Sequence, residues 1–176
     1  MRFDFTIKSY QQLLDALISY PFITFADHIG CSLERQVVLR HDVDLLPGNA
    51  LHFAHLQHLL GIKSTYYFRI VPASFQPTII ELIAGMGHEI GYHYEYVSLV
   101  ASQMTCNNGL WSKNRLFSSD ILDRAVESFA ENLQALRKYA DIKTICMHGS
   151  PLSPWDSRLL WTKYNYRDFD LIGEPY

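Results

Sequence analysis

Three places in this 176-residue chain put titratable side chains where an apolar run gives way to a loop: Arg40-His41-Asp42-Val43-Asp44, His93-Tyr94-Glu95 and His148-Gly149-Ser150. A strand alternates its side chains, so Arg40, Asp42 and Asp44 share one face while His41 and Val43 take the other. Two carboxylates that close repel unless a cation or a proton lies between them. The economical chemistry is a divalent metal with one aspartate bound and the other kept as a base. Imidazoles at His93 and His148 complete a mixed nitrogen and oxygen set suited to zinc, cobalt or nickel. The same residues have a structural use, in which Asp42 and Asp44 cap the following helix and pair with Arg40. The spacing alone leaves both uses open.

For these residues to meet, several strands must bring their carboxyl ends to one rim, and the apolar pattern supplies them. QVVLRHDVD, KSTYYFRI, HEIGYHYE and KTICMHG are β-branched or aromatic runs that read as strands. Between them lie helical stretches. Ser9 with Gln12 is a capping-box pattern for a helix over about 10–20, stopped by Pro21. Pro47-Gly48-Asn49 is a turn with Asn49 as a cap for ALHFAHLQHLL, which Gly61 closes. Pro77 opens a short helix ending at Gly85 or Gly87, and Asp120 caps a long amphipathic one through Tyr139. Residues 22–34 show no regular pattern, 98–119 read as an inserted loop, and DLIGEPY holds a last apolar pair. Strands separated by helices pair in parallel through right-handed crossovers. The expected class is α/β, in a single domain over 1–176.

Composition narrows the partners. With 15 Lys+Arg against 18 Asp+Glu the net charge is −3, which offers no basic excess for a phosphate backbone, so nucleic acid is not an expected partner. Three widely spaced cysteines, Cys31, Cys106 and Cys146, form neither a disulfide framework nor a Cys-x-x-Cys knuckle and suit a reducing compartment. The first residues interleave charges with apolar positions, and no later stretch is apolar for long enough to span a bilayer. No membrane span and a cytoplasmic location are therefore expected.

RHDVD, then GHEIGYH (Gly87 to His93), then a strand ending His148-Gly149-Ser150-Pro151 together resemble the polysaccharide deacetylase superfamily, over about Val37 to the C-terminus. D-x-D with G-H-E-I-G-x-H in that order is specific, where either alone is weak. The resemblance implies a distorted (β/α) barrel, a divalent metal, and hydrolysis of an N-acetyl or O-acetyl group on a sugar. It places Asp42 as general base, Asp44 as metal ligand, and His93 as the histidine of the second motif. Members usually carry another ligand histidine four residues on, where this chain has Val97. His148 or Glu95 is then needed as the substitute, with His148 the first choice, although it stands where many members have an arginine that orients the base. His148 is also the one visible candidate for the proton donor. The chain falls below the roughly 200 residues of the smallest complete barrels, so an incomplete, distorted barrel is expected. Its open sheet edge would be covered by a neighbouring copy in a homo-oligomer or by the N-terminal helix.

Other suggestive residues have simpler uses. His52, His55 and His58 recur at steps of three, which rotate around a helix rather than forming an i, i+4 metal pair. His88 reads as a hydrogen-bonded structural histidine, and Cys146 as a small buried hydrophobe. Among Trp111, Tyr94, Trp155 and Trp161, which are candidates for stacking on sugars, only Trp111 is expected to be exposed. The leading expectation is a metal-dependent deacetylase of an acetylated carbohydrate. A non-catalytic carbohydrate-binding relic of the same fold is the alternative, and an amidase acting on a non-sugar substrate ranks third.

Overall fold

The computed structural model describes residues 6–31, 34–95, Val97, Val100, 119–149 and 156–175. Trp111, Trp155, Ser150 and nearly all of the expected 98–119 loop lie outside the described residues. The site is carried by a parallel sheet of four short strands in the order β3 (Arg40–Val43), β4 (Thr65–Phe68), β5 (Glu89–Tyr94), β6 (Ile145–Met147). It curls into a half-barrel, compatible with an incomplete α/β barrel. Each connection passes through a helix: α3 (Pro47–Leu59), α4 (Pro77–Gly85) and, between β5 and β6, α5 (Ser119–Leu136).

Register decides what each face carries, because partners side by side in a parallel sheet point the same way. Val43, Phe68, Tyr92 and Ile145 lie in one row. All four are buried, packed with Ala54 of α3, Ile80 and Ile83 of α4, and Phe129, Leu133 and Leu136 of α5. Burial of this aromatic and β-branched row is the main term holding the helices to the sheet. The opposite face is polar: Arg40 beside Thr65 and Glu89, Asp42 beside Tyr67 and Gly91, His93 beside Cys146. Gly91 has a specific use there. A Cβ at this position would fall 2.2 Å from Cε1 of Tyr67, so only glycine lets that ring lie across the sheet and bring its hydroxyl to 3.0 Å from Thr144 Oγ1.

Two elements escaped the sequence pattern. β1 (Phe22–Ile23) pairs with β2 (Val37–Val38), and α2 (Phe25–Gly30) follows β1 directly. The run QVVLRHDVD is thus divided at Leu39 between two sheets. The first turn of α2 closes the amino end of the polar face: Phe25 N–H donates to Thr65 Oγ1 (2.8 Å) and Ala26 N–H to Glu89 Oε2 (2.9 Å). A carboxylate at a helix N-terminus is favoured by the exposed N–H groups there. At the far side, Ile172 N–H and Gly173 O bond to Lys143 and Ile145, so the chain's own C-terminal segment takes part of the sheet edge beside β6.

Helix starts were also shifted. α1 spans Ile7–Leu17, with Thr6 rather than Ser9 as the cap, accepting from Ser9 N–H. α3 starts at Pro47, not at Asn49. Leu46 takes a left-handed conformation (φ 52°) and Asn49 N–H bonds back to its carbonyl, because proline needs no hydrogen-bond partner in a first helical turn. Gly61 (φ 70°) closes α3 as expected. α5 stops at Leu136, short of Tyr139.

Candidate metal centre

Asp44, Arg69, Glu95 and His148 each stand one residue past the end of a strand, and His93 sits one residue inside β5. His148 N–H donates to Tyr94 O at 2.7 Å, extending the β5–β6 pairing and fixing where the His148 ring begins. Ser74 holds the end of β3, its hydroxyl bonding Val43 O and accepting from Arg69 N–H (3.2 Å). The rim is therefore held by backbone pairing together with the Ser74 hydroxyl of the loop after β4.

His93 is 3% exposed. Its Nδ1 lies 2.9 Å from the carbonyl of Cys146. A carbonyl only accepts, so Nδ1 carries the proton and Nε2 presents a lone pair, the arrangement usual for a histidine that binds metal. Burial lowers the pKa of this ring, opposed mainly by the charge of Asp42, and keeps it neutral. Nε2 faces His148 Nδ1 at 3.2 Å and Asp44 Oδ1 at 3.6 Å, and those two are 3.1 Å apart. All three ligand atoms lie within 4.8 Å of one another.

Asp44 Oδ1 supplies the test of whether a cation fits. Its side chain is 44% exposed, yet this oxygen is buried and accepts no hydrogen bond among the described residues. A buried carboxylate oxygen without a donor is costly unless something positive meets it. Arg69 Nη1 comes no nearer than 3.9 Å, whereas two imidazole nitrogens stand at 3.1 and 3.6 Å. Two nitrogens and one oxygen at these separations suit a borderline divalent ion, zinc foremost.

The other residues singled out in the sequence are placed as follows. Asp42 is held by Arg40 in a two-point pair, Nε to Oδ1 at 3.0 Å and Nη2 to Oδ2 at 2.7 Å, with both side chains partly exposed. The structural use of the acidic pair is therefore half present: Asp42 pairs with Arg40, but Asp44 does not cap α3, which has no side-chain cap. Glu95 is engaged by Arg69 through Nε and Nη2 (2.7–3.1 Å) and stays 3.9 Å from His148 Nε2. Val97 is buried in the apolar core. Of the two substitutes considered for its missing imidazole, His148 is the one brought to Asp44 and His93.

His88 is buried between Ser64 Oγ (3.1 Å) and Ala54 O (2.9 Å). On α3, His58 Nδ1 meets Met86 O at 2.9 Å. Trp161 Nε1–H donates to Tyr94 OH (2.7 Å), and its ring packs on Phe129 and Tyr166. Sequence reasoning missed Arg69, whose Nη1 is 3.9 Å from Asp44 Oδ1. The signal was available, because Arg69 follows β4 just as Asp44 follows β3. It also missed that Cys146 comes together with Asp42 and His93.

No family model matches this chain, and neither curated proteins nor solved structures show a match to it, so what bears on function is the convergence of Asp44, His93 and His148 itself.

Proposed function

We propose that this chain is a metal-dependent hydrolase of the polysaccharide-deacetylase type, removing an acetyl group from an acetylated sugar, with Asp44, His93 and His148 holding a divalent cation, zinc in the first instance. The observation that carries the reading is the buried Asp44 Oδ1, which accepts no hydrogen bond among the described residues and faces two imidazole nitrogens. Such an ion supplies a Lewis acid for the acyl carbonyl and makes water a nucleophile near neutral pH. The chain's own groups divide the remaining work. Asp42 is the base that takes the proton of the attacking water, and Arg40 fixes both of its oxygens so that a lone pair stays aimed. His93 stays neutral, locked by the Cys146 carbonyl. His148 turns Nδ1 to Asp44 and His93, so it serves as a ligand and not as the proton donor for the leaving group. The acetylated sugar is supported by the order and wording of RHDVD, GHEIGYH and His148-Gly149-Ser150-Pro151.

The direct test is acetate release from N-acetylated and O-acetylated oligosaccharides before and after metal chelation, with zinc added back. Release that chelation abolishes and zinc restores is the expected result. Protein that carries metal but releases no acetate from either class removes the deacetylase reading. Protein that binds the sugars but no metal moves the chain to a carbohydrate-binding relic, a reading that the buried Val97 favours.

A further inference from the structure

The polar face holds a second group of ligand-bearing side chains. Asp42, His93 and Cys146 place a carboxylate oxygen, an imidazole nitrogen and a sulfur within 4.8 Å of one another. Register explains the grouping. Cys146 is the cross-strand neighbour of His93, so its side chain shares the polar face, while Asp42 lies one row below beside Tyr67 and Gly91. Gly91 contributes no side chain there, and the Tyr67 ring lies over it, so the three ligand groups gather beside that ring. The thiol is fully buried, yet unlike Tyr92 and Ile145, which pack into the apolar core, it lies on the polar face. A cysteine serving only as a small hydrophobe belongs on the helix side, with Ile145.

We infer that Asp42, His93 and Cys146 form a second, softer cation site that competes with the first for the shared imidazole. The inference rests on the reading of His93 as a metal ligand. Thiolate selects thiophilic ions such as Cd²⁺ and Cu⁺ over hard ones. When the Sγ–metal bond forms, the thiol proton leaves to solvent. Asp42 keeps its pair with Arg40 and contributes a remaining lone pair. A cation held here occupies the carboxylate proposed as the base and takes His93 from the first set, so thiophilic ions act as inhibitors of the same chain.

The test is titration of the full chain with Co²⁺. This ion accepts either set and gives a near-ultraviolet sulfur-to-metal charge-transfer band only when a thiolate binds. The band is expected in the wild type and in Asp44→Ala, and is expected to be lost in both Cys146→Ser and Cys146→Ala, which retain Cys31 and Cys106. Circular dichroism shows whether each variant is folded, and two replacements of different polarity guard against one failing to fold. Wild-type protein that binds Co²⁺ with no such band overturns the second site and leaves the Asp44 set standing. A band that disappears in Asp44→Ala also overturns it, since the two sets would then be one. A band in Asp44→Ala, in a wild type that retains no zinc, upholds the second site and removes the first.

Discussion

Two clusters of histidines sit on opposite faces of the same sheet, and they differ in what their polar atoms have found. On the helix side, Gln57 of α3 is fully buried and acts as a hub. Its Nε2 donates to Tyr10 OH and to His41 Nε2 (2.8 Å), and its Oε1 meets Tyr66 OH (2.7 Å) and Ser64 Oγ (2.5 Å). Ser64 passes the chain on to His88, which ends on the Ala54 carbonyl. His41 also stacks on Tyr66 with ring centroids 4.5 Å apart. Each imidazole there has a hydrogen-bond partner supplied by the fold, and the network is internal to the chain. On the other face, His148 Nδ1 meets the lone pair of His93 Nε2 at 3.2 Å, and both nitrogens converge on Asp44 Oδ1, which accepts no hydrogen bond among the described residues. An internal buried network gives rigidity and a unique packing, whereas an open one keeps its unmet atom for something that is not part of the chain. The number of histidines does not separate structure from site; the state of their hydrogen bonds does.

The largest effect expected from this contrast is on turnover. Asp42→Asn should keep bound metal and lower acetate release by roughly 10²–10⁴-fold, since the amide preserves shape but takes no proton. Elemental analysis beside a rate measurement checks it. Metal lost along with activity would mean that Asp42 is a ligand of the catalytic ion.

How much of this was legible in the sequence depends on the range of the interaction responsible. The meeting of Asp44, His93 and His148 was readable because alternation within a strand and parallel pairing are local rules, and each residue stands at or just past a strand end. The β1–α2 unit was not, since two strand residues and a six-residue helix are too short to show a period. They are fixed instead by distant partners, Thr65 and Glu89. The caps moved by a few residues for a related reason. Thr6 and Ser9 both suit a cap, and Leu46 adopts a conformation that no propensity favours. The grouping of Cys146 with Asp42 needed the β5–β6 register, which the sequence does not contain.

Next in size is the effect of opening the internal network. Gln57→Ala leaves Tyr10, His41, Ser64 and Tyr66 without their common partner and should cost about 2–4 kcal/mol of stability, with zinc affinity unchanged. Asp44→Asn should do the reverse, removing the cation held by Asp44, His93 and His148 without destabilising the metal-free protein. Urea denaturation of the metal-free proteins measures both. Equal losses in the two variants would mean that the faces do not differ as described.

A smaller effect follows from His41. Burial, aided by His88 and opposed by Asp42, lowers its pKa from 6.5 to about 4. The ring is neutral in the fold, and between those values the unfolded chain binds more protons. This contribution is therefore complete above about pH 6.5 and declines as pH falls toward 4, by a few kcal/mol in order of magnitude. His88 and His93, whose pKa values burial also lowers, add to the same slope. Stability of the metal-free protein that is flat from pH 7 to pH 4 would contradict neutral, buried rings.

The most direct measurement is a calorimetric titration of zinc into metal-free wild-type protein, Asp44→Ala and Gln57→Ala at one pH. The account predicts that wild type and Gln57→Ala bind the ion alike at micromolar levels or tighter, and that Asp44→Ala loses this binding or retains only a weaker site that Cys146→Ser removes. Unchanged zinc binding in Asp44→Ala, or none in the wild type, would contradict it.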